Sequence, residues 1–359
     1  MSSTPLRVLV TGANGYIAQH ILSTFLSAGH SVRGVVRSQS KVTQISTTFS
    51  PFVSSGQLDF ALVPDISVPN AFDSALLSAP PFDVVLHTAS PFNYRANSSP
   101  AEFLDPAIKG TTSILQSIAR VAPSVRRVVV TSSMAAVIDF IGSPRFTNPP
   151  KTYTESDWNP ITLESALAPD ASLNVIYQTS KTFAEKSAWQ FMEQKRPGFD
   201  LVVLNPPMVY GPLFDPAVVR DPKTDLGESV HGIYQNTLAP GLAEDSPLAP
   251  TGLHLYVDVR DLAQAHLLAA TVPEAAGKRF VVCAGELTAQ KIANIMRDTT
   301  PAALRGRIPR GEPEKENMPE GAFTASSGRA KEVLGLEFRD AKETIGDLAA
   351  QLAQIVQKE

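Results

Sequence analysis

The chain has 359 residues, of which 43% are hydrophobic and 18% charged, and its formal net charge is −4. This composition is typical of soluble globular proteins, and the small negative charge argues against nucleic acid or an anionic membrane as a partner. The N-terminus has no basic region followed by a long apolar stretch, so we expect no signal peptide, no transmembrane segment and a cytoplasmic location. The single Cys283 excludes intrachain disulfides, and six histidines without HxxxH pairing predict no metal site.

Apolar runs alternate with helical patterns over the first 205 residues. This alternation predicts an α/β fold, a Rossmann doubly wound parallel sheet with helices on both faces. The predicted strands are Leu6–Val10, Ser31–Val36, Leu58–Val63, Asp83–His87, Arg127–Thr131 and Leu201–Leu204. Helical patterns between them cover Gly15–Ala28, Ala101–Val121 and Val175–Lys195.

The pattern changes after Asn205. Residues 206–250 contain eight prolines and follow no clean period, which predicts the start of a smaller C-terminal substrate lobe. The later elements are a strand end running into a helix over Tyr256–Ala270 with Asp258 as N-cap, a strand over Lys278–Cys283, and helices over Thr288–Arg297 and Arg339–Val356. We therefore predict a Rossmann domain over residues 1–205, with returns near 253–272, and a discontinuous substrate-binding lobe over most of 206–359.

A glycine-containing turn follows the first predicted strand. In TGANGYIA, Gly12, Gly15 and Ala18 stand at three-residue spacing. Gly12 permits a tight turn, Gly15 lets the backbone meet a phosphate, and Ala18 keeps helix and strand close. This context predicts a dinucleotide site at the helix N-terminus. The alternative is that these small residues only serve packing at a strand–helix junction.

The end of the second strand indicates which dinucleotide binds. NAD sites place an acidic residue there to bind the ribose 2′-hydroxyl, whereas this chain has Arg37 and Lys41 and no carboxylate. A guanidinium with a nearby ammonium matches a 2′-phosphate. We therefore predict NADPH and an NADP-binding Rossmann domain, with the alternative that both cations are solvated surface residues.

A third pattern combines Tyr177 and Lys181, one helical turn apart, with the TSS segment that ends the fifth strand. An ammonium one turn away can depress the pKa of a phenol. Ser133 can hydrogen-bond a substrate carbonyl while Tyr177 delivers a proton. Ser132 is a competing candidate for the serine role, and a helix cap is an alternative role for Ser133. Glu155 and Asp157 are predicted to be ordinary loop residues, and Trp158 to serve packing rather than to line a pocket.

Six segments then match a known family in chain order. They are TGANGYIAQHIL, HTASPF, VVVTSSMAAV, YQTSKTFAEKSAW, NPPMVYGP and YVDVRDLAQAHLLAA. Together they resemble the landmarks of extended short-chain dehydrogenases/reductases, within the dihydroflavonol reductase and cinnamoyl-CoA reductase group. The likeness is strongest to fungal and yeast NADPH-dependent aldehyde, ketone and methylglyoxal reductases, and it covers residue 6 to about 300.

The resemblance implies roles for particular residues. The catalytic set falls on Ser133, Tyr177 and Lys181. Asp65 and Ile66 correspond to the pair that holds adenine, Thr88 to Ser90 to the stretch lining the nicotinamide ribose, and Pro206 to Val209 to the segment beside the nicotinamide. The complete predicted cofactor set is Gly12, Asn14, Gly15, Tyr16, Ile17, Arg37, Lys41, Asp65, Ile66, Thr88, Ala89, Ser90, Ser132, Tyr177, Lys181, Pro206, Met208 and Val209.

The predicted reaction is reduction of an aldehyde or ketone to an alcohol by a monomer or homodimer. The predicted substrate pocket contains Phe92, Met134, Met208 and Tyr210, whose apolar character favours aromatic or aliphatic carbonyls over sugars. Ala18 replaces a frequent glycine, the interval from Ser133 to Tyr177 is longer than in the plant enzymes, and the plant substrate-recognition segments have no counterpart. Alternatives are an NAD(P)-dependent hydroxysteroid dehydrogenase, a sugar-nucleotide epimerase or dehydratase, and a non-enzymatic NADP-binding regulator.

Overall fold

A computed structural model of the chain describes residues 4–90 and 100–358. The strands are β1 Arg7–Thr11, β2 Ser31–Val36, β3 Leu58–Leu62, β4 Val84–His87, β5 Arg127–Thr131, β6 Thr152–Tyr153, β7 Asp200–Asn205, β8 Met208–Tyr210, β9 Leu255–Asp258, β10 Arg279–Val281, β11 Gly285–Glu286 and β12 Thr324–Ala325. The α-helices are α1 Tyr16–Ser27, α2 Gln39–Thr48, α3 Ser50–Ser54, α4 Asp73–Leu76, α5 Pro100–Val121, α6 Leu163–Leu167, α7 Leu173–Lys195, α8 Pro222–Asp225, α9 Glu228–Thr237, α10 Val259–Thr271, α11 Ala289–Thr299, α12 Ala302–Arg305, α13 Gly328–Leu334 and α14 Ala341–Val356.

Seven strands form one parallel sheet in the order β3-β2-β1-β4-β5-β7-β10. Val8 and Val10 pack in one core cluster together with α1 and α10, whereas Leu9 packs on the opposite face together with α5 and α7. Both faces of the sheet are therefore covered, which explains the near-continuous Val and Leu content of its strands. The chain reverses its direction along the sheet between β1 and β4, and ligands bind at such switch points in doubly wound folds.

The predicted doubly wound sheet is confirmed, and the six predicted strands lie within one residue of the observed bounds. The seventh strand, β10, comes from the segment predicted as an isolated later strand and pairs with β7. Helix α10 packs against α1, and Asp258 caps it as predicted, accepting the backbone N–H of Arg260 at 2.8 Å. The chain thus returns to the large sheet after residue 250. The predicted boundary between the Rossmann domain and the substrate lobe at residue 205 stays a prediction.

The remaining strands form two small sheets. Strand β9 pairs with β8 and β11, and the short β6 pairs with β12 near the C-terminus. Helix α14 packs against α11, and the side-chain amide of Gln351 bonds both the N–H and the carbonyl of Leu213, at 2.6 and 3.1 Å. These contacts tie the end of the chain to the proline-rich segment. In the described part of the chain, no helix combines the length and the apolar character needed to span a bilayer.

Candidate active site

The turn between β1 and α1 is built around Gly12. Its φ of +66° lies in the left-handed region, which glycine adopts without steric strain. A Cβ added there would lie 2.9 Å from the Cα of Ala89, so the ends of β1 and β4 approach each other closely. The N–H of Gly15 donates to the carbonyl oxygen of Gly12 at 2.8 Å. The predicted glycine spacing therefore produces a tight entry into α1.

The N-terminus of α1 is open to an anion. No side chain caps the helix at Gly15, and its first turn contains no acidic residue. The free N–H groups and the positive end of the helix dipole therefore meet no competing carboxylate from the helix itself. Ala18 is buried in the core beneath this turn, consistent with its predicted packing role.

Two cations follow β2 at the same edge of the sheet. Arg37 is exposed, and no ion pair or hydrogen bond joins its side chain to another described residue. Lys41 is half-buried, and its Nζ donates to Oε1 of Gln44 at 3.3 Å. The guanidinium of Arg37 is therefore free to meet a ligand.

The predicted adenine pair follows the neighbouring β3. Asp65 accepts hydrogen bonds from the N–H and hydroxyl of Ser67 at 2.8 and 2.6 Å, which lower the pKa of its carboxyl group. Ile66 packs over Gly110 of α5, where an added Cβ would lie 2.8 Å from Cδ1 of Ile66. Both residues lie one strand away from Arg37, on the outer side of the switch point.

The switch point itself is held by Thr11. Its Oγ1 accepts the N–H groups of Thr88 and Ala89, each at 3.1 Å, and lies 3.0 Å from Nδ1 of His87. His87 is buried, and burial with a smaller contribution from the charge of Lys181 lowers its pKa to about 3. The predicted ribose stretch that begins at Thr88 is therefore fixed against β1, and Ser90 remains exposed.

Ser133, Tyr177 and Lys181 meet beyond β5. The hydroxyl groups of Ser133 and Tyr177 share a hydrogen bond, and the Nζ of Lys181 lies 5.9 Å from the centre of the Tyr177 ring. All three residues are half-buried among buried neighbours. Ser133 also accepts the N–H of Ala135 at 3.1 Å, so its alternative role as a cap of a short helix coexists with this contact.

Burial dominates the electrostatics of the three residues. It raises the pKa of Tyr177, with the Ser133 hydrogen bond acting in the opposite direction. Burial lowers the pKa of Lys181 to about 8, opposed by the charge of Glu185. The pKa of Tyr177 is therefore raised in this structure and not depressed as predicted, because burial outweighs the opposing contribution from Ser133.

Ser132 belongs to a different set of contacts. Its Oγ donates to Oε2 of Glu185 at 2.6 Å in the protein interior. Ser132, Lys181 and Glu185 also line a cavity of about 20 Å³ with His87 and Ser90, which is room for one water molecule. The hydroxyl of Ser133, not that of Ser132, is therefore the one beside Tyr177.

Several other predicted cofactor residues have side-chain or backbone groups engaged within the protein. The hydroxyl of Tyr16 donates to the carbonyl of Gly211 at 2.8 Å, and Ile17 packs against the core. The carbonyl of Asn14 accepts from Gln19 at 3.2 Å. Val209 is buried in the core. Their roles toward a cofactor stay predictions.

A larger cavity of about 110 Å³ lies beside β8. Its described lining includes Met208 and Tyr210, as predicted for the substrate pocket, together with residues of α9 and of the segment 248–252. The carbonyl of Pro206, two residues before Met208, accepts the N–H of Met134 at 2.9 Å. This hydrogen bond ties the segment that leads into β8 to the residue after Ser133.

Met134 and Phe92 were also predicted to line the substrate pocket. Met134 is fully buried in a cluster with Val137, Ile138 and Tyr153. Its assignment to the pocket is therefore wrong, because the short helix after Ser133 turns this side chain into the core. Phe92 lies outside the described residues.

A buried ionic cluster surrounds Glu185, a residue that no sequence motif singled out. Its carboxylate accepts hydrogen bonds from Arg279 Nε at 2.6 Å, Ser132 Oγ at 2.6 Å, Asn205 Nδ2 at 2.7 Å and Trp189 Nε1 at 3.3 Å. Glu185 follows Lys181 at the same four-residue spacing that separates Tyr177 from Lys181. That periodicity was the available signal.

The partners of Arg279 correct a further prediction. Glu155 is buried, its backbone carbonyl accepts from Arg279 Nη1 at 2.7 Å, and its Oε1 accepts the N–H of Val281 at 3.1 Å. Describing it as an ordinary loop residue is therefore wrong, because the loop it occupies is drawn against β10. The Arg279 guanidinium lies 3.8 Å from the centre of the Trp158 ring, which confirms a packing role for that tryptophan. Cys283 is likewise a buried thiol, whose pKa burial raises to about 11.

A doubly wound sheet with a glycine turn after β1 and a Ser–Tyr–Lys set beyond β5 defines the class of short-chain dehydrogenases/reductases. Within that class, the chain belongs to the NAD dependent epimerase/dehydratase family, whose profile matches residues 8–283. The match ends at Cys283, just after the last strand of the large sheet, so it covers all seven of its strands.

Relatives similar over their full length have narrower descriptions. The chain is 38% identical to the ketoreductase AzaE of Aspergillus niger, over 99% of both chains. It is also 38% identical to the NADPH-dependent methylglyoxal reductase Gre2 of Saccharomyces cerevisiae, over 97% of this chain and 98% of that protein. The crystal structure of yeast methylglyoxal/isovaleraldehyde reductase Gre2 complexed with NADPH superposes with a TM-score of 0.88 at 35% identity, covering 99% of this chain and 100% of that one.

Proposed function

We propose that this protein is an NADPH-dependent carbonyl reductase that converts an aldehyde or ketone to an alcohol. The observation that carries the proposal is the hydrogen bond between Ser133 and Tyr177, with the Lys181 ammonium 5.9 Å from the tyrosine ring, at the ligand-binding edge of the sheet. The full-length similarity to named ketoreductases and methylglyoxal reductases supports the same reaction class.

The described residues fit NADPH. The first turn of α1 offers N–H groups without an acidic residue, which suits a pyrophosphate. Arg37 is exposed and has no partner among the described residues, and Lys41 follows one helical turn later, which suits a 2′-phosphate. When bound, NADPH supplies the hydride for carbonyl reduction.

The proton comes from this chain. Because burial raises the pKa of Tyr177, its phenol is protonated at neutral pH and can donate a proton to the carbonyl oxygen. Ser133, hydrogen-bonded to the same phenol, orients and polarises that oxygen. Lys181 places a positive charge near the tyrosine ring, where it stabilises the negative charge that develops on the phenol oxygen during proton transfer. Its ammonium can also donate to ribose hydroxyls.

The cavity beside β8 supplies the substrate pocket in this proposal. A cavity of ~150 Å³ holds benzene, so about 110 Å³ suits a small or branched substituent on the carbonyl carbon. Tyr210 and Asn236 both line it, and neither side chain is hydrogen-bonded to another described residue. These polar groups can meet a second oxygen atom of the substrate. We further propose a cytoplasmic enzyme that acts as a monomer or homodimer.

The test is NADPH oxidation by the purified protein with a panel of aldehydes, diketones, ketoesters and aryl ketones. We expect turnover with several small carbonyl compounds and a marked preference for NADPH over NADH. Failure to oxidise NADPH with any carbonyl, in a preparation that binds NADPH, would contradict the proposal. Equal use of NADH would instead favour the NAD-dependent alternatives.

A further inference from the structure

The buried carboxylate of Glu185 connects three elements of the candidate active site. It lies on α7 one turn beyond Lys181, and its oxygens accept from Ser132 at the end of β5 and from Asn205 at the end of β7. The same Asn205 Nδ2 reaches the carbonyl oxygen of Ser133 at 3.2 Å. A displacement of Glu185 would therefore be transmitted to the strand end that bears Ser133.

The charge of Glu185 is shared between two cations. Arg279 of β10 forms the direct ion pair with Glu185 at 2.6 Å, and both side chains of this pair are buried. Lys181 lines the same small cavity as Glu185 but makes no contact within ion-pair distance among the described residues. Glu185 therefore acts on Lys181 through space, across a cavity of only about 20 Å³ in the protein interior, where charges interact more strongly than in water.

We propose that Glu185 is a positioning residue that keeps the Lys181 ammonium in its charged form and fixes the end of β5 against α7. The inference rests on the proposed function, since it assigns Glu185 a purpose through Lys181. Without the carboxylate, burial would drive Lys181 toward its neutral form, and the buried Arg279 would repel it further.

The other groups around Lys181 do not reproduce this effect. Tyr177, on the same helix, is neutral until high pH because burial raises its pKa. His87 of β4 stays uncharged above about pH 4, since its pKa is about 3. The cavity residues that α5 and β5 contribute, namely Ala107, Thr111, Val130, Thr131 and Ser132, carry no charge. Glu185 is thus the only anion among the described residues lining this cavity.

The experiment measures the charge of Lys181 directly. Trace acetylation of the cofactor-free protein with acetic anhydride at pH 6 to 10, read by mass spectrometry of the Lys181 peptide, gives the pH at which this amine deprotonates. We expect a midpoint near pH 8 for the parent protein and a midpoint lower by about 1 pH unit or more in Glu185→Gln. The alkaline fall of kcat/KM for carbonyl reduction should move to lower pH in step.

Two variants act as controls. Glu193→Gln removes the same charge from an exposed position two turns further along α7, and we expect its labelling midpoint to match that of the parent because water screens the site. Glu185→Asp keeps the charge, so its midpoint should stay close to the parent even where lost hydrogen bonds lower the overall rate. An unchanged midpoint in folded Glu185→Gln, or equal shifts in the Asp and Gln variants, would overturn the proposal.

Removal of a buried ion-pair partner can prevent folding, so Arg279→Gln provides a second arm. It leaves the carboxylate and removes its direct cationic partner, and the Lys181 midpoint should then rise or stay. A fall would overturn the proposal. If Glu185→Gln shifts the labelling midpoint but not the kcat/KM profile, Glu185 controls Lys181 as inferred and the proposed catalytic role of Lys181 is wrong.

Discussion

The edge of the large sheet at which strands β1, β4, β5 and β7 end and the cavity beside β8 are built in different ways. At the edge, Thr11 holds the backbone of Thr88 and Ala89, and Asn205 holds that of Ser133. Around the cavity, Tyr210 and Asn236 form no hydrogen bond with another described residue. The first region has fixed positions for reacting groups, whereas the second has polar groups available to a substrate. This difference supports our proposal that the chemistry takes place at the sheet edge and that the cavity selects the substrate.

The largest expected effect tests the chemical half of this comparison. Tyr177→Phe removes the proposed proton donor and keeps the ring, so we expect turnover to fall by at least ~100-fold. NADPH affinity, measured by fluorescence titration, should change little. Turnover near that of the parent protein would show that the proton comes from another group.

Cofactor choice provides the next effect. Arg37→Ala should weaken NADPH binding by about 10- to 100-fold, because a charge-assisted contact contributes ~1.5–3 kcal/mol. NADH binding should remain nearly unchanged. Lys195→Ala, which removes an exposed cation at the far end of α7, is the matched control and should affect neither cofactor. An equal loss for both cofactors in Arg37→Ala would place this arginine outside 2′-phosphate recognition.

A third substitution tests whether selectivity lies in the cavity. Met208→Ala enlarges it, so kcat/KM for an aryl ketone relative to a small aldehyde should rise by about 10-fold, the scale at which hydrophobic pockets discriminate size. Met192→Ala removes the same side chain from the other face of the sheet, where it packs against α5 and its neighbours, and should leave the ratio unchanged. A uniform change for both substrates in Met208→Ala would move the selectivity pocket elsewhere.

The smallest expected effect concerns pH. Lys181 is charged below its pKa of about 8 and neutral above it, so its hydrogen bonds to a bound ribose should weaken as pH rises through this value. NADPH affinity should then fall by about fivefold between pH 7 and pH 9, corresponding to ~1 kcal/mol. Lys181→Met should abolish this dependence. A dependence that persists in Lys181→Met would assign it to another titrating group.

The sequence predicted the strands and the glycine turn well and the packing of individual side chains between distant segments poorly, for a physical reason. Strands buried on both faces and a glycine turn with φ of +66° are local patterns that the chain shows within a few residues. The burial of Met134 and the contact of Glu155 with β10 depend on packing between distant segments. Such tertiary contacts leave no periodic signal, so Met134 was misassigned to the pocket and Glu155 was misassigned as an ordinary loop residue.

The pairing of Gln351 with both backbone groups of Leu213 has a practical consequence for anyone who modifies this protein. The last helix acts as a backbone partner for the segment that leads toward α9 and the cavity. The C-terminal residues are therefore unsuitable for trimming to improve expression. A tag joined to the end of the chain by a long flexible linker preserves this contact, whereas deletion of α14 removes it and exposes the apolar face that Leu348 and Leu352 bury.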